Sequence, residues 1–213
     1  MRAVLAATLR GDGTYVDVGA NRGQVLRDAL RIAPHARHIA FEPIPALCAE
    51  LAREFPGVEC RRLALGGARG VAQFCHFTQL DGWSGLRRSP LVSDERGRPE
   101  YIEVVVSTLD EELAGMSPSV LKIDVEGAEL EALRGAVQLL RAAAPVVIFE
   151  HVPQAAALYG AASQELWELL AGLGYDIFAI TGEGPCTCAE FCRSTTTVNW
   201  LARASLRSST AGD

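Results

Sequence analysis

Short apolar runs alternate along the chain with segments of helical period. Thr14 to Val18 reads as a strand and Gln24 to Ile32 as a helix; His38 to Phe41 and Ala46 to Phe55 repeat the pair, and Val58 to Leu65 adds a third strand. That alternation marks βαβ units around a parallel sheet. A strand-rich patch follows, Val71 to Phe77 and Tyr101 to Val106, separated by a polar stretch from Asp81 to Glu100 with three glycines and two prolines. It predicts a strand pair joined by a long loop. Val120 to Val125 resumes the pattern, and from about Ala128 the residues Leu130, Leu133, Val137 and Leu140 recur at spacings of three and four, the stripe of a helix with one buried face. Pro145 to Phe149 is a buried strand. Ser163 opens a helix bearing Leu166, Leu169 and Leu170, which Gly172 and Gly174 close before the strand Tyr175 to Ile180, and Thr197 to Ala202 reads as the last strand. Residues 1–203 are therefore expected to form one α/β domain, and the polar tail 204–213 to be disordered.

Composition narrows the partners. With 213 residues, 49% hydrophobic and 22% charged, the chain has material for a full core, and no apolar run reaches the roughly 18–20 residues of a membrane span. A net charge of -6 offers no domain-wide grip for a phosphate backbone, so neither nucleic acid nor a membrane is an expected partner. Six scattered cysteines in a domain of this size do not read as a disulfide framework, which points to the cytoplasm. The stretch from Met1 to Leu9 only faintly imitates a signal peptide.

Chemistry starts where the first strand ends. It runs into Asp17-Val18-Gly19-Ala20-Asn21-Arg22-Gly23 and then a helix, so glycines allow close backbone approach beside a helix N-terminus with free amides. Gly19 and Gly23 are four apart with no glycine at 21; the G-x-G-x-x-G of dinucleotide folds is absent, which favours a small amino-acid-like group over a pyrophosphate. The second strand ends in Phe41-Glu42-Pro43, twenty-five residues after Asp17, about where a strand-terminal carboxylate takes the ribose hydroxyls of an adenosine. A solvated strand end is the plainer reading of Glu42.

These motifs, with Leu63-Ala64-Leu65-Gly66, Ser107-Thr108-Leu109-Asp110 and Leu121-Lys122-Ile123-Asp124-Val125-Glu126-Gly127-Ala128-Glu129, resemble in identity and order the FkbM-type S-adenosylmethionine-dependent methyltransferases; Asn199-Trp200-Leu201-Ala202 is similar to the family's closing strand. The resemblance covers about residues 14 to 150. It implies a Rossmann-like, seven-stranded, mostly parallel sheet with an antiparallel last strand, helices on both faces, and O-methylation. Carried over, it puts the methionine end of S-adenosylmethionine at Asp17, Gly19, Asn21 and Gly23, the ribose at Glu42 and the adenine against Ala64. Arg62 stands where many relatives have Asn or Asp.

Methyl transfer needs a held acceptor and a base. Ligands of open α/β sheets sit outside the carboxyl ends of the strands, which here carry Asp124-Val125-Glu126 and Glu150-His151. Strand alternation sends Lys122, Asp124 and Glu126 one way. Lys122 then pairs with Asp124 or with a carboxylate such as Glu129, while Asp124 either shares in that pairing or touches cofactor and acceptor. His151, beside Glu150, is the candidate base, or else a strand-end histidine bonded to a loop. Asp124, Glu150 and His151 are together a candidate set for Mg²⁺. The loop from Asp81 to Arg88 is expected to act as a mobile lid, with Trp83 and Ser84, and Glu126 from below, facing the substrate. Cys186, Cys188 and Cys192 lack the fourth ligand and C-x₂-C spacing of a structural zinc site. Thr108 and Glu111 form a capping box, making Asp110 structural.

The function expected is methylation of a hydroxyl on a small molecule, a sugar or specialised metabolite, with a homodimer as the candidate assembly. An amine acceptor is the nearest variant. An NAD-type oxidoreductase and a non-catalytic nucleotide-binding module are the rivals from other classes.

Overall fold

The computed structural model describes residues 1–88, 92 and 98–205; the expected tail from 206 onward and the middle of the long polar loop lie outside the described residues. Among those described, no helix is long and apolar enough to cross a membrane. A short helix α1 (Arg2–Thr8) leads into β1 (Thr14–Val18), α2 (Gln24–Ile32), β2 (Arg37–Phe41), α3 (Pro45–Glu54) and β3 (Glu59–Arg61). Next come β4 (Ala64–Leu65), β5 (Gly70–His76), β6 (Glu100–Ser107), α4 (Leu109–Glu112), β7 (Val120–Ile123), α5 (Glu129–Arg134), α6 (Val137–Ala143) and β8 (Val146–Glu150). The chain closes with α7 (Pro153–Ala156), α8 (Ser163–Gly172), β9 (Tyr175–Ala179), α9 (Cys188–Arg193) and β10 (Asn199–Ala204).

The main sheet has seven strands in the order β3-β2-β1-β7-β8-β10-β9. β10, the last in the chain, is antiparallel to both its neighbours, while the other paired strands run parallel. This is the Rossmann-like methyltransferase arrangement. Strand pleat sorts the side chains into two cores. Val16, Val18, Leu121, Ile123, Val147 and Phe149 pack under α4, α5, α6, α8 and α9. Tyr15, Val120, Ile148 and Leu201 pack under α1 and α2. The second face also carries Asp17, Lys122 and Glu150, because they alternate in register with its apolar residues.

Two expected elements divide. Val58 to Leu65 is not one strand: β3 pairs with β2, the chain steps aside at Arg62 and Leu63, and β4 pairs with β6 in a second sheet ordered β4-β6-β5. The expected strand pair thus gains a third member. The helix from Ala128 breaks at Gly135 into α5 and α6. Asp110 causes the break: its N–H donates to the Gly135 carbonyl and its carboxylate accepts from the N–H groups of Gln138 and Leu139, capping α6. Thr108 caps α4 as expected, accepting from Glu111 N–H. Helix α9, opened by a Thr187–Glu190 capping box, lies between β9 and β10 and carries Cys188 and Cys192. β10 runs through Ala204, one residue past the expected edge of the domain.

A Cβ on Gly135 would sit 2.1 Å from the Gly66 carbonyl oxygen, so the helix break is wedged against the turn after β4. Gly135→Ala should lower stability by about 1–3 kcal/mol, the usual cost of forcing an atom into a packed interior. In urea denaturation the midpoint should fall with the slope unchanged.

Candidate active site

The turn after β1 is folded by close approach. Gly19 has φ +74°, and a Cβ there would fall 1.9 Å from the Asp124 carbonyl oxygen, so only glycine lets the turns after β1 and β7 meet. The N–H groups of Gly19 and Ala20 both donate to the Phe41 carbonyl, and Asn21 follows at φ +48°. The Glu42 carboxylate ties the next two pieces, accepting from Asn21 N–H at 2.8 Å and Ile44 N–H at 2.9 Å. Burial pushes its pKa up to about 7 against the pull of those amides. Each carboxylate oxygen keeps a lone pair for a further donor.

Beneath the turn lies a buried ion pair. Asp17 and Lys122 are cross-strand neighbours, with Nζ 3.0 Å from Oδ1 and side chains almost wholly buried. Lys122 also donates to the Gly19 carbonyl at 2.9 Å and reaches Asp124 at 3.4 Å, while Tyr15 donates its hydroxyl to Asp17 Oδ2. Burial lowers the affinity of Lys122 for its proton, but the two carboxylates more than restore it, to about 12. Burial likewise raises the pKa of Asp17, with Lys122 pulling it back. Lys122 takes Asp17 and Asp124, not Glu129; the buried Glu129 instead accepts from the N–H groups of Val125 and Gly127 and braces the turn after β7.

Above these turns is a cavity of about 520 Å³, in the size range of small-ligand sites. Its floor and near wall include Gly19, Asn21, Glu42, Asp124 and Glu126; Ile44, Leu63, Ala64 and Phe74 form an apolar side; Leu80, Asp81, Trp83, Ser84 and Leu86 roof it. The roof is not a free lid. Asp81 accepts from Arg22 Nε at 3.0 Å and lies 3.2 Å from His76 Nε2; Ser84 Oγ accepts from Phe77 N–H; Gly85 bridges to Cys75; and Arg87 N–H donates to the Tyr159 hydroxyl. Trp83 lines the cavity with 39% of its surface exposed, whereas Ser84 is buried and its oxygen is engaged by Phe77.

Four expected site residues sit elsewhere. Asp17 is sealed behind the wall, where Lys122 claims it. Gly23 faces α3, where a Cβ would strike Leu51 and Phe55 at 2.8 and 2.7 Å; its φ of +69° starts α2. His151 lies outside the lining residues, with Nε2 2.8 Å from Ser163 Oγ and its ring stacked on Phe191 at 5.1 Å. Burial pushes its pKa down to about 4. Glu150 does not line the cavity, but one oxygen each of Asp124, Glu126 and Glu150 lie within 4.8 Å of one another. The carboxylates expected to meet His151 around Mg²⁺ therefore meet Glu126 instead. Burial and the charge of Asp124 push Glu126 up to about 8 and Glu150 to about 7. Glu126 holds φ +54°, a backbone strain that aims it into this group.

Sequence reasoning missed the Arg22–Asp81–His76 latch, Tyr15 and Tyr159. Arg22 and Asp81 are 59 residues apart, and no local pattern signals such a contact.

The match to known proteins agrees with this geometry. The model of the methyltransferase FkbM domain matches residues 17–177, and the chain belongs to that family. The domain is therefore that of an S-adenosylmethionine-dependent methyltransferase. Methyltransferase sdnD of Sordaria araneosa is 30% identical over 161 residues, 61% of this chain and 62% of that protein. Methyltransferase 1 of Beauveria bassiana is 29% identical over 58% of each. The chain thus spans about three fifths of the length of these relatives. The crystal structure of an FkbM methyltransferase from Methylobacillus flagellatus superposes with a TM-score of 0.55 at 16% identity, covering 91% of this chain and 44% of that one. The plantazolicin methyltransferase BpumL, in complex with a desmethyl plantazolicin analogue and S-adenosylhomocysteine, superposes with a TM-score of 0.51 at 10% identity, over 96% of this chain and 84% of that one. At these identities the two structures establish the fold.

The environment of His151 generates a pH prediction. A folded pKa of about 4 against an ordinary 6.5 means that the unfolded chain takes the proton first as pH falls, so the neutral ring stabilises the fold fully above about 6.5 and loses that contribution toward 4. Relative to His151→Gln, the wild type should lose up to about 3 kcal/mol between those pH values, read by urea titrations at each pH. Parallel curves for the two proteins would contradict it.

Proposed function

We propose that this domain transfers a methyl group from S-adenosylmethionine to a hydroxyl of a small molecule, with the carboxylates at the ends of β7 and β8 receiving the proton. The observation that carries this reading is that Asp124 and Glu126 line the cavity and have Glu150 within 4.8 Å of them, behind its wall. The cavity's donor set suits the cofactor: Glu42 has lone pairs to spare for two ribose hydroxyls, Ile44, Leu63, Ala64 and Phe74 offer a flat apolar slot for adenine, and Gly19 with Asn21 lies at the strand-end turn where the methionine end would rest. When bound, S-adenosylmethionine supplies a methyl group on a positively charged sulfur.

The chain's own residues do the rest. Asp124 lies beside the place where that charge would sit and is itself braced by Lys122. Trp83, Leu80 and Leu86 keep water from the reacting atoms and leave the acceptor one side from which to approach in line. Glu126 is the base: it lines the cavity, and a group titrating near the working pH is best placed to take a proton as the oxygen attacks. Glu150 shares that proton through Asp124. We place the reaction in the cytoplasm, in keeping with six cysteines that are all free thiols. An amine acceptor is the second reading, favoured by the negative charge of the same cluster, which would draw an ammonium into the cavity.

Calorimetric titration with S-adenosylhomocysteine and with NAD tests the cofactor. The first should bind, NAD should not, and Glu42→Ala should abolish binding. In assays of S-adenosylhomocysteine release over a panel of hydroxylated and amine acceptors, Glu126→Gln should cut kcat by about 100-fold, the low end for removing a general base. His151→Gln should leave kcat nearly unchanged, and wild-type kcat/KM should climb with pH and level off above about 8. A Glu126→Gln enzyme as fast as the wild type would remove the base from the scheme.

A further inference from the structure

Helix α9 carries two cysteines that the methyl-transfer reading does not use. Cys188 and Cys192 are four residues apart on one helical turn, and their Sγ atoms are 3.8 Å from each other. Neither is sealed in the core: both are half-buried, unlike Cys48 and Cys75. Residues four apart in an α-helix have Cα atoms about 6 Å apart, inside the span a disulfide bridges. Bridging them with an S–S bond of about 2.0 Å also requires Cβ atoms that start about 5–6 Å apart to close to about 4 Å, so the backbone of this six-residue helix must yield as well as the side chains rotate.

We propose that Cys188 and Cys192 are a redox modification site, a dithiol that low-molecular-weight oxidants convert reversibly to an intrahelical disulfide. With a small disulfide such as oxidised glutathione, the thiolate of one cysteine attacks a glutathione sulfur and expels a glutathione thiolate. The thiolate of the other cysteine then attacks the mixed disulfide and expels the second. One sulfur–sulfur bond forms in the protein, one breaks in the oxidant, and the two thiol protons end on the two glutathiones released. The site abuts the catalytic end: Phe191, between the two cysteines, is fully buried, stacks on His151 and packs edge-on against Trp200 at 4.6 Å. His151 directly follows Glu150, so the bridge would form one packing layer behind the carboxylate cluster.

The test is chemical and independent of any acceptor or cofactor. The purified full chain is incubated with oxidised glutathione, alkylated with iodoacetamide under denaturation and digested with trypsin, which releases residues 142–193 as one peptide holding Cys186, Cys188 and Cys192. The expected product is that peptide two hydrogen atoms lighter, with only Cys186 alkylated, restored to three alkylated cysteines by dithiothreitol. Cys186→Ser should still form the bridge, and Cys188→Ser or Cys192→Ser should abolish it, leaving glutathione on the remaining partner. Three alkylated cysteines after oxidation, stable glutathione adducts on both Cys188 and Cys192 of the wild type, or a bridge that requires Cys186, would each overturn the proposal.

Discussion

A single buried ammonium holds this active site in shape. Lys122 sits on β7, between β1 and β8 in the main sheet, donates to the Gly19 carbonyl and forms ion pairs with Asp17 and Asp124. Withdrawing a charge this far from water costs several kcal/mol, and only close, well-bonded partners offset it. The arrangement ties the turn after β1 to the turn after β7, the two surfaces between which a ligand must lie. Gly19 makes the same junction sterically possible, since any larger residue would meet the Asp124 backbone. The cost of removing either Lys122 or Asp17 would therefore be paid in stability and in the geometry of the cavity together.

That ion pair also sets the electrostatics above it. Lys122 pairs with Asp17 and Asp124, and Arg22 with Asp81 and Glu50; Lys122 still pulls Glu126 and Glu150 down through space. Burial first, and then the charge of Asp124, outweighs that pull and lets Glu126 and Glu150 keep protons at pH values where an exposed carboxylate has lost them. A second sheet and the segment it carries then shut the cavity from above. Asp81 is the point at which that roof is fastened to the cofactor end, while Tyr159 fastens it to the connection after β8.

The periodicity of the chain carried the architecture a long way. Strand and helix runs separated by turn residues were enough to foretell a parallel sheet, the antiparallel closing strand came only from the family resemblance, and the motif at Asp17 to Gly23 marked the expected ligand end. The errors share one cause. Asp110, 25 residues before Gly135, breaks a helix that local spacing reads as continuous, and Val58 to Leu65 divides because β6, far along the chain, offers β4 a partner. At the site, strand alternation grouped Lys122, Asp124 and Glu126 on one side, and the expected trio rightly set Glu150 beside Asp124, but adjacency in sequence added His151 where space puts Glu126. Alternation explains this: Glu150 continues the face that holds Lys122, and the following residue leaves the strand toward Ser163 and Phe191.

The exchange of a histidine for a carboxylate follows from one physical effect acting on two kinds of group. Burial disfavours charge, so it drives an imidazole toward acid pH and a carboxyl toward alkaline pH. His151 at about 4 is neutral at physiological pH but is too weak a base to draw a proton from a hydroxyl, and its Nε2 lies 2.8 Å from Ser163 Oγ. Glu126, moved in the opposite direction to about 8, becomes a stronger base than an ordinary carboxylate and can still exchange its proton near neutrality. Desolvation therefore disables one candidate and equips the other. Glu126 also holds a left-handed backbone in the turn after β7, the turn that brings it to the cavity wall.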